Sequence, residues 1–150
     1  MASRLYWSKL AWVFILAFVV AFAGCEKGTK IDAEVLATSQ EAYDNALVEI
    51  EGGNSEAALE LLDVALQPGG GLTPDIHADA RVQRAIVRAR LDQLEDAHAD
   101  LDVAEQGAAD MSAVYVARSY VFSKEGKSKE SKAEMSKAKK LRRGVKAIRD

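Results

Sequence analysis

Reactive side chains are few in this chain of 150 residues, which has one cysteine and two histidines. His77 and His98 are far apart in the sequence, with no H-E-x-x-H pattern and no neighbouring cysteine to complete a zinc site. We therefore expect both to be surface histidines. The glycines at residues 69–71 precede no Lys-Ser or Lys-Thr pair and follow no strand, so they favour a flexible connector over a phosphate-binding loop.

An acidic cluster between positions 92 and 105 raises the question of a calcium site. Calcium loops provide oxygen ligands around a glycine at a fixed position, whereas these residues fall mostly on a predicted helix. A solvated helix face is the better interpretation for all six: Asp92, Glu95, Asp96, Asp100, Asp102 and Glu105. The sequence thus predicts no enzyme, no metal site, no cofactor and no small-molecule substrate.

The only cysteine, Cys25, ends an apolar segment near the N-terminus. Basic residues precede an apolar stretch over residues 10–22, and two small residues separate that stretch from Cys25. This order is typical of a secretory signal peptide. A helix that spans a bilayer needs roughly 20 apolar residues, and the segment over residues 10–24 is shorter. A retained anchor and an ordinary signal peptide are the less favoured alternatives.

The segment resembles the signal of bacterial lipoproteins, in which the cysteine is acylated and becomes the first mature residue. The resemblance implies a cleaved signal peptide over residues 1–24, lipidation at Cys25 and a polar tether over residues 25–31. Glu26, rather than an aspartate, follows the cysteine, which in such proteins favours the outer membrane. The expected location is the bacterial cell envelope, lipid-anchored on the periplasmic face of the outer membrane.

The charge of the chain is strongly divided. Residues 25–111 carry a net charge of −13 and residues 112–150 a net charge of +8. A basic end of this kind can be a solvated capping helix, a contact surface for an anionic lipid or an acidic protein, or a nucleic-acid-binding tail. We expect no nucleic acid, because an exported protein rarely meets it and no aromatic residue interleaves the lysines. The basic patch is Lys137, Lys139, Lys140, Arg142, Arg143 and Lys146.

Three segments share a pattern of small and larger apolar residues. A small residue, a larger apolar residue and an alanine recur at i, i+4 and i+7, which places them on one helical face. Small residues there let a neighbouring helix approach closely. The triads are Ala58/Leu62/Ala65, Ala97/Leu101/Ala104 and Ser131/Met135/Ala138. We call the two steps between equivalent triad positions, from Ala58 to Ala97 and from Ala97 to Ser131, the repeat offsets.

Another predicted helix precedes each triad. These helices cover about residues 32–51, 74–91 and 111–124, with glycine or proline at their boundaries. Thr73 is expected as an N-cap, with Pro74 at the first helical position. No segment alternates with period two, so we predict an all-α fold.

A helix-turn-helix unit of about 34 residues resembles the tetratricopeptide repeat. The second repeat offset matches that period, and the first is longer because of the glycine-rich loop before Thr73. The third unit matches best, since Tyr115, Ser119 and Phe122 hold the large, small and aromatic positions of the family's first helix. In the second unit, arginines at positions 81 and 88 stand where a bulky and an aromatic residue are usual. An irregular alanine-rich bundle is the alternative.

The resemblance implies three repeats that form a short right-handed solenoid. They cover about residues 39–68, 78–107 and 112–143, within a domain over residues 32–143 that a basic extension over residues 144–150 follows. In this family the first helix of each repeat lines a concave groove. Carried over, the groove residues are Tyr43, Leu47, Val82, Gln83, Ile86, Arg90, Val116, Tyr120 and Lys124.

The function expected from these features is a membrane-anchored scaffold in the cell envelope. Its groove would bind another envelope protein or a peptide. The alternative is a structural envelope protein whose basic C-terminal helix contacts anionic lipid or cell-wall polymer. The identity of the partner, the oligomeric state and the choice of membrane do not follow from the residues.

Overall fold

The computed structural model describes residues 33–149, with side chains from residue 35 onward. The predicted signal peptide, Cys25 and the tether lie outside the described residues. Within these bounds the chain forms six α-helices and no strand, as the all-α prediction required. The helices are α1 (Ala33–Glu51), α2 (Ser55–Ala65), α3 (Pro74–Arg90), α4 (Leu94–Ala104), α5 (Met111–Lys124) and α6 (Ser128–Leu141).

The helices associate as three consecutive hairpins. The closest packing is between α1 and α2, between α3 and α4, and between α5 and α6. Between hairpins, α3 packs against α2 and α5, and α4 packs against α5. The described residues contain no helix of the length and apolarity that membrane crossing requires.

Helix α3 is the centre of the domain because it contributes to both apolar clusters. Val87 and Ala80 pack with residues of α1 and α2, whereas Ile86, Val82 and Ala89 pack with residues of α4 and α5. The alanines allow this double packing, since a helix with small side chains can be approached from several directions. α3 thus joins the first hairpin to the other two.

The triads of small and larger residues lie at the helix contacts, as predicted. The Ala58 triad on α2 and the Ala97 triad on α4 are completely buried, with exposures of at most 1%. On α6, Ala138 is buried, but Ser131 and Met135 are only half-buried. The difference follows from position, because α6 is the last described helix and no further hairpin covers it.

The turn residues with positive φ repeat at the same offsets as the triads. Gly53, Asp92 and Gly126 all have positive φ, and each lies in the turn of its hairpin. They are separated by the two repeat offsets, so the turns share one register.

Thr73 and Pro74 hold the N-cap and first position of α3 as predicted, although the Thr73 side chain makes no capping hydrogen bond.

Ion pairs link the hairpins in the same register. Nη1 of Arg84 lies 2.7 Å from Oδ1 of Asp63, and Nη2 of Arg118 lies 2.8 Å from Oδ1 of Asp102. In both pairs an arginine on the first helix of a hairpin reaches the second helix of the preceding hairpin. Both arginine side chains are 13% exposed.

Candidate functional site

The first helices of the three hairpins share one surface, which we call the inner face. On α3 it consists of Val82, Ile86 and Arg90, which are spaced four residues apart and therefore lie in one row along the helix. On α5 the corresponding row is Val116, Tyr120 and Lys124, and on α1 the surface includes Tyr43. Each row places apolar or aromatic residues first and a cation last.

Tyr43 joins α1 to α3 at one end of the inner face. Its hydroxyl donates a hydrogen bond to Oδ2 of Asp79. Burial, followed by this hydrogen bond and the charge of Asp79, raises the pKa of Tyr43 well above its ordinary value. The hydroxyl is therefore protonated at any physiological pH and acts as a fixed donor.

Three cavities follow one another along the rows. The first has a volume of about 300 Å³ and lies between Tyr43 of α1, Val82 of α3 and the loop before α5. The second, of about 380 Å³, is lined by Ile86 and Val116. The third, of about 480 Å³, is lined by Arg90, Lys124 and the turn after α1. Successive turns of α3 thus form the walls of successive cavities.

The inner face changes charge from one end to the other. Three carboxylates, those of Asp75, Asp79 and Asp110, line the first cavity. Three cationic side chains, those of Arg90, Lys124 and Arg149, line the third. An extended ligand would therefore have a preferred direction, with its cationic end at the start of α5 and its anionic end at the end of α5.

The predicted groove residues are distributed along this surface. Six line the cavities, namely Tyr43, Val82, Ile86, Val116, Arg90 and Lys124. Leu47 packs against the apolar cluster of the first hairpin, and Gln83 is half-buried. Tyr120 is only 6% exposed, and Nζ of Lys124 lies 5.8 Å from the centroid of its ring. Tyr120 is therefore part of the floor of the inner face.

The predicted basic patch spreads over different surroundings. Lys137 pairs with Glu134 at 2.7 Å and lies over the Tyr115 ring, and Arg142 lies 3.0 Å from Asp110. Lys139 and Lys146 line one further cavity of about 590 Å³. Lys140 and Arg143 are exposed.

The C-terminal segment, residues 142–149, lies against the inner face. Arg142 contacts Asp110 immediately before α5, and Ile148 packs against the apolar cluster of α3, α4 and α5. Val145 and Ile148 line the second cavity together with Ile86 and Val116. The sequence predicted a basic extension here and gave no position for it.

Asp110 also caps α5. Its Oδ1 accepts a hydrogen bond from the backbone N–H of Ser112 at 2.8 Å. The hydrogen bond from the Ser112 hydroxyl is the main reason that the pKa of Asp110 lies below its ordinary value. Burial opposes this lowering, and the backbone N–H of Ser112 and the charge of Arg142 add to it. One carboxylate therefore fixes both the start of α5 and the start of the C-terminal segment.

A buried carboxylate on α4 is the main polar feature that sequence reasoning missed. Asp100 is 2% exposed and accepts hydrogen bonds from Arg81, Arg84 and Arg88 at 2.6 to 3.0 Å. The prediction of a solvated face is wrong for Asp100 and holds for the other five acidic residues, which are exposed. The spacing of the three arginines, on one face of α3, was the available signal.

Two ionisable groups in this region have shifted pKa values, Arg84 itself and the neighbouring His77. Burial lowers the pKa of Arg84, but its hydrogen bonds and charge interactions with Asp100 and Asp63 together outweigh this, and the net pKa is raised. Burial, together with the charges of Arg81 and Arg84, lowers the pKa of His77. His77 is therefore neutral at neutral pH.

His98 departs from the expected surface position. Its ring lies 4.9 Å from that of Phe122, centroid to centroid, and Nε2 lies 3.2 Å from Oε2 of Glu125. Both contacts join α4 to the end of α5. Among the described residues, no group of three histidine, cysteine or acidic side chains could hold a metal ion.

Comparison with known proteins gives no relative for this chain: no family model matches it, and neither do curated proteins or solved structures.

Proposed function

We propose that this protein is a lipid-anchored scaffold of the bacterial cell envelope, without catalytic turnover. Its three hairpins would form a right-handed array similar to tetratricopeptide repeats, and its inner face would bind an extended segment of another envelope protein. Acylation at Cys25 would hold the array at the periplasmic face of the outer membrane. The support for the anchor is the order of residues around Cys25.

The support for the repeat array is the shared register of unrelated features. The turn residues with positive φ, the buried triads and the ion pairs between hairpins all recur at the repeat offsets. An irregular bundle would have no reason to repeat an arginine–aspartate pair at the same two offsets. Repeat arrays are built from such equivalent contacts between neighbouring units.

The observation that carries the binding role is the row of cavities on the inner face. The cavities follow α3 and α5. The exposed surface of the middle cavity is mostly apolar, and the two end cavities are lined by side chains of opposite charge. An extended polypeptide suits such a surface, because alternate side chains can enter successive cavities while charged groups fix the direction. Arg90 is a suitable test position, since it is half-buried and lines the third cavity.

A second function is favoured by the exposed lysines of α6. Lys129, Lys132, Lys139 and Lys140 are all exposed, and Arg143 follows in the next turn. Such a surface would attract anionic lipid or cell-wall polymer, with a strength that falls as ionic strength rises. The inner face would then have no external ligand.

Crosslinking in cells with the affinity-tagged full chain separates the two functions. Arg90→Glu reverses a charge on the inner face, and Arg143→Glu makes the same change at an exposed position outside the three cavities of the inner face. We expect Arg90→Glu to abolish capture of a specific envelope protein and Arg143→Glu to leave capture unchanged. Capture that is lost with Arg143→Glu or in high salt, and retained with Arg90→Glu, would contradict the groove and support the basic surface.

A further inference from the structure

The chain reverses direction after α6. Arg142 has extended backbone angles (φ −137°, ψ 115°), and Gly144 has a φ of +86°, a value that L-residues rarely adopt. The residues after Gly144 form no helix. The turn therefore releases an extended segment that returns toward α5 instead of continuing the helix.

The returning segment runs in the same direction as α5. Arg142 contacts Asp110, one residue before α5, and Arg149 lines the same cavity as Lys124, the last residue of α5. Residues 142–144 form the turn, and residues 145–149 are the extended part. The segment therefore leads from the start of α5 toward its end.

Two side chains of the segment, three residues apart, are more buried than their neighbours. Val145 and Ile148 are half-buried, whereas Lys146 and Ala147 are exposed. Ile148 packs against the apolar cluster and shares the second cavity with Ile86 and Val116. A bound peptide would share two of these features, a cation at the acidic end and an aliphatic anchor in the middle cavity. The segment does not match the basic end, because Arg149 adds a further cation beside Arg90 and Lys124.

We propose that residues 142–149 are a resident ligand of the inner face, which a partner segment must displace. The inference rests on the proposed function of that face and specifies its partner. The partner is an extended segment with a cationic side chain for Asp110 and, at the spacing that separates Arg142 from Ile148, an aliphatic side chain for the cavity between Ile86 and Val116. The unbound protein is thereby held in an occupied, self-inhibited state.

The contacts of the segment are suited to reversible release. The Arg142–Asp110 pair is exposed, with side-chain exposures of 68% and 48%, and such pairs are weak. Ile148 is the main apolar anchor and is itself only half-buried. Because the segment is joined to its site by a short turn, it acts at an effective concentration on the order of one millimolar.

A labelled peptide with the sequence of residues 142–149 tests the proposal by fluorescence anisotropy. The proteins are the full chain in mild detergent, its Ile148→Asp variant, and Ala147→Asp as a matched control that adds the same charge at the exposed neighbour. We expect the peptide to bind Ile148→Asp about tenfold more tightly than the other two, because only that variant loses its resident ligand. Equal binding to all three proteins, or binding to none, would overturn the proposal.

A second measurement needs no variant and so does not depend on the folding of Ile148→Asp. In the unmodified chain with labelled methyl groups, we expect nuclear Overhauser contacts between Ile148 and Val116, and excess unlabelled peptide should remove them. Their absence in the free protein would contradict occupancy. Capture that depends on Arg90, combined with a failure here, would leave the scaffold function standing and remove only the resident ligand.

Discussion

The first helices of the second and third hairpins carry different kinds of side chain at equivalent positions. In α3, Arg81, Arg84 and Arg88 surround one buried carboxylate of α4. One repeat offset later, the equivalent positions of α5 hold Tyr115, Arg118 and Phe122. Tyr115 lies beside Lys137 of α6, whereas Arg118 and Phe122 contact residues of α4. The comparison teaches that a long arginine can take the place of an aromatic ring when the opposite helix provides a counter-charge.

The two hairpins also differ in how well their buried acids are paired. Asp100 on α4 accepts four hydrogen bonds from three guanidinium groups. The equivalent residue on α6, Glu134, is 8% exposed and pairs only with Lys137, and its Oε2 is buried without a partner. We therefore expect Asp100 to contribute strongly to the stability of the second hairpin and Glu134 to contribute little to that of the third.

The largest expected effect comes from removing the buried acid of the second hairpin. Asp100→Ala leaves three arginines without their shared partner, and breaking such a buried pair costs about 3–5 kcal/mol of unfolding free energy. Glu134→Ala should cost less than about 1 kcal/mol, because Lys137 is half exposed and regains water. Urea unfolding of the full chain, followed by circular dichroism, measures both. Equal losses would show that the arginine cluster has no special role.

The start of each hairpin gives a second, smaller contrast. Asp110 caps α5 with its side chain, whereas Thr73 makes no capping hydrogen bond at the start of α3. Asp110→Ala should therefore cost about 1 kcal/mol at neutral pH, and Thr73→Ala only a few tenths. The same urea titration compares the two variants.

The pH dependence of the Asp110 effect has a definite sign. The folded pKa of Asp110 lies below its ordinary value of 3.8, so the folded protein binds this proton less tightly than the unfolded chain. Its contribution is complete above pH 3.8 and is lost as the pH falls through the folded pKa. The difference in stability between the parent and Asp110→Ala should shrink accordingly, and a difference that grows on acidification would contradict the cap.

The hairpin turns give the smallest contrast. Asp92 has a φ of +62°, whereas the equivalent position of the third hairpin is Gly126. Asp92→Gly should stabilise the protein by about 0.5 kcal/mol, because glycine adopts positive φ without strain but loses more entropy on folding. Gly126→Ala should destabilise it by about 1 kcal/mol through backbone strain alone, since no atom lies within 4 Å of the added methyl group. Thermal unfolding checks both signs.

The helices could be predicted from the sequence because their signals are local. Periodic small and apolar residues defined the buried faces, and glycine and proline marked the ends. The predicted first helices end within one residue of the observed ends. Positions such as Asp92 could have been found by the same repeat offsets that relate the triads.

The polar core and the position of the C-terminal segment could not be predicted, because neither depends on local pattern. Asp100 lies among five exposed acids, and only the approach of α3 distinguishes it. The segment over residues 142–149 is basic and short, and nothing in its composition selects the inner face over solvent. The position of the segment depends on contacts near Asp110 and Val116, which are distant in sequence from Ile148.

The arginine–aspartate pairs between hairpins have a consequence for how copies of this protein meet. The pairs occur at both interior junctions, but the equivalent positions at the two ends are Asn45 and Ser136. Neither end can therefore repeat the pairing with a second molecule. A unit that is complementary to itself on opposite sides would polymerise into filaments. In the described residues the chain makes this pairing at its two interior junctions, and Asn45 and Ser136 cannot extend it.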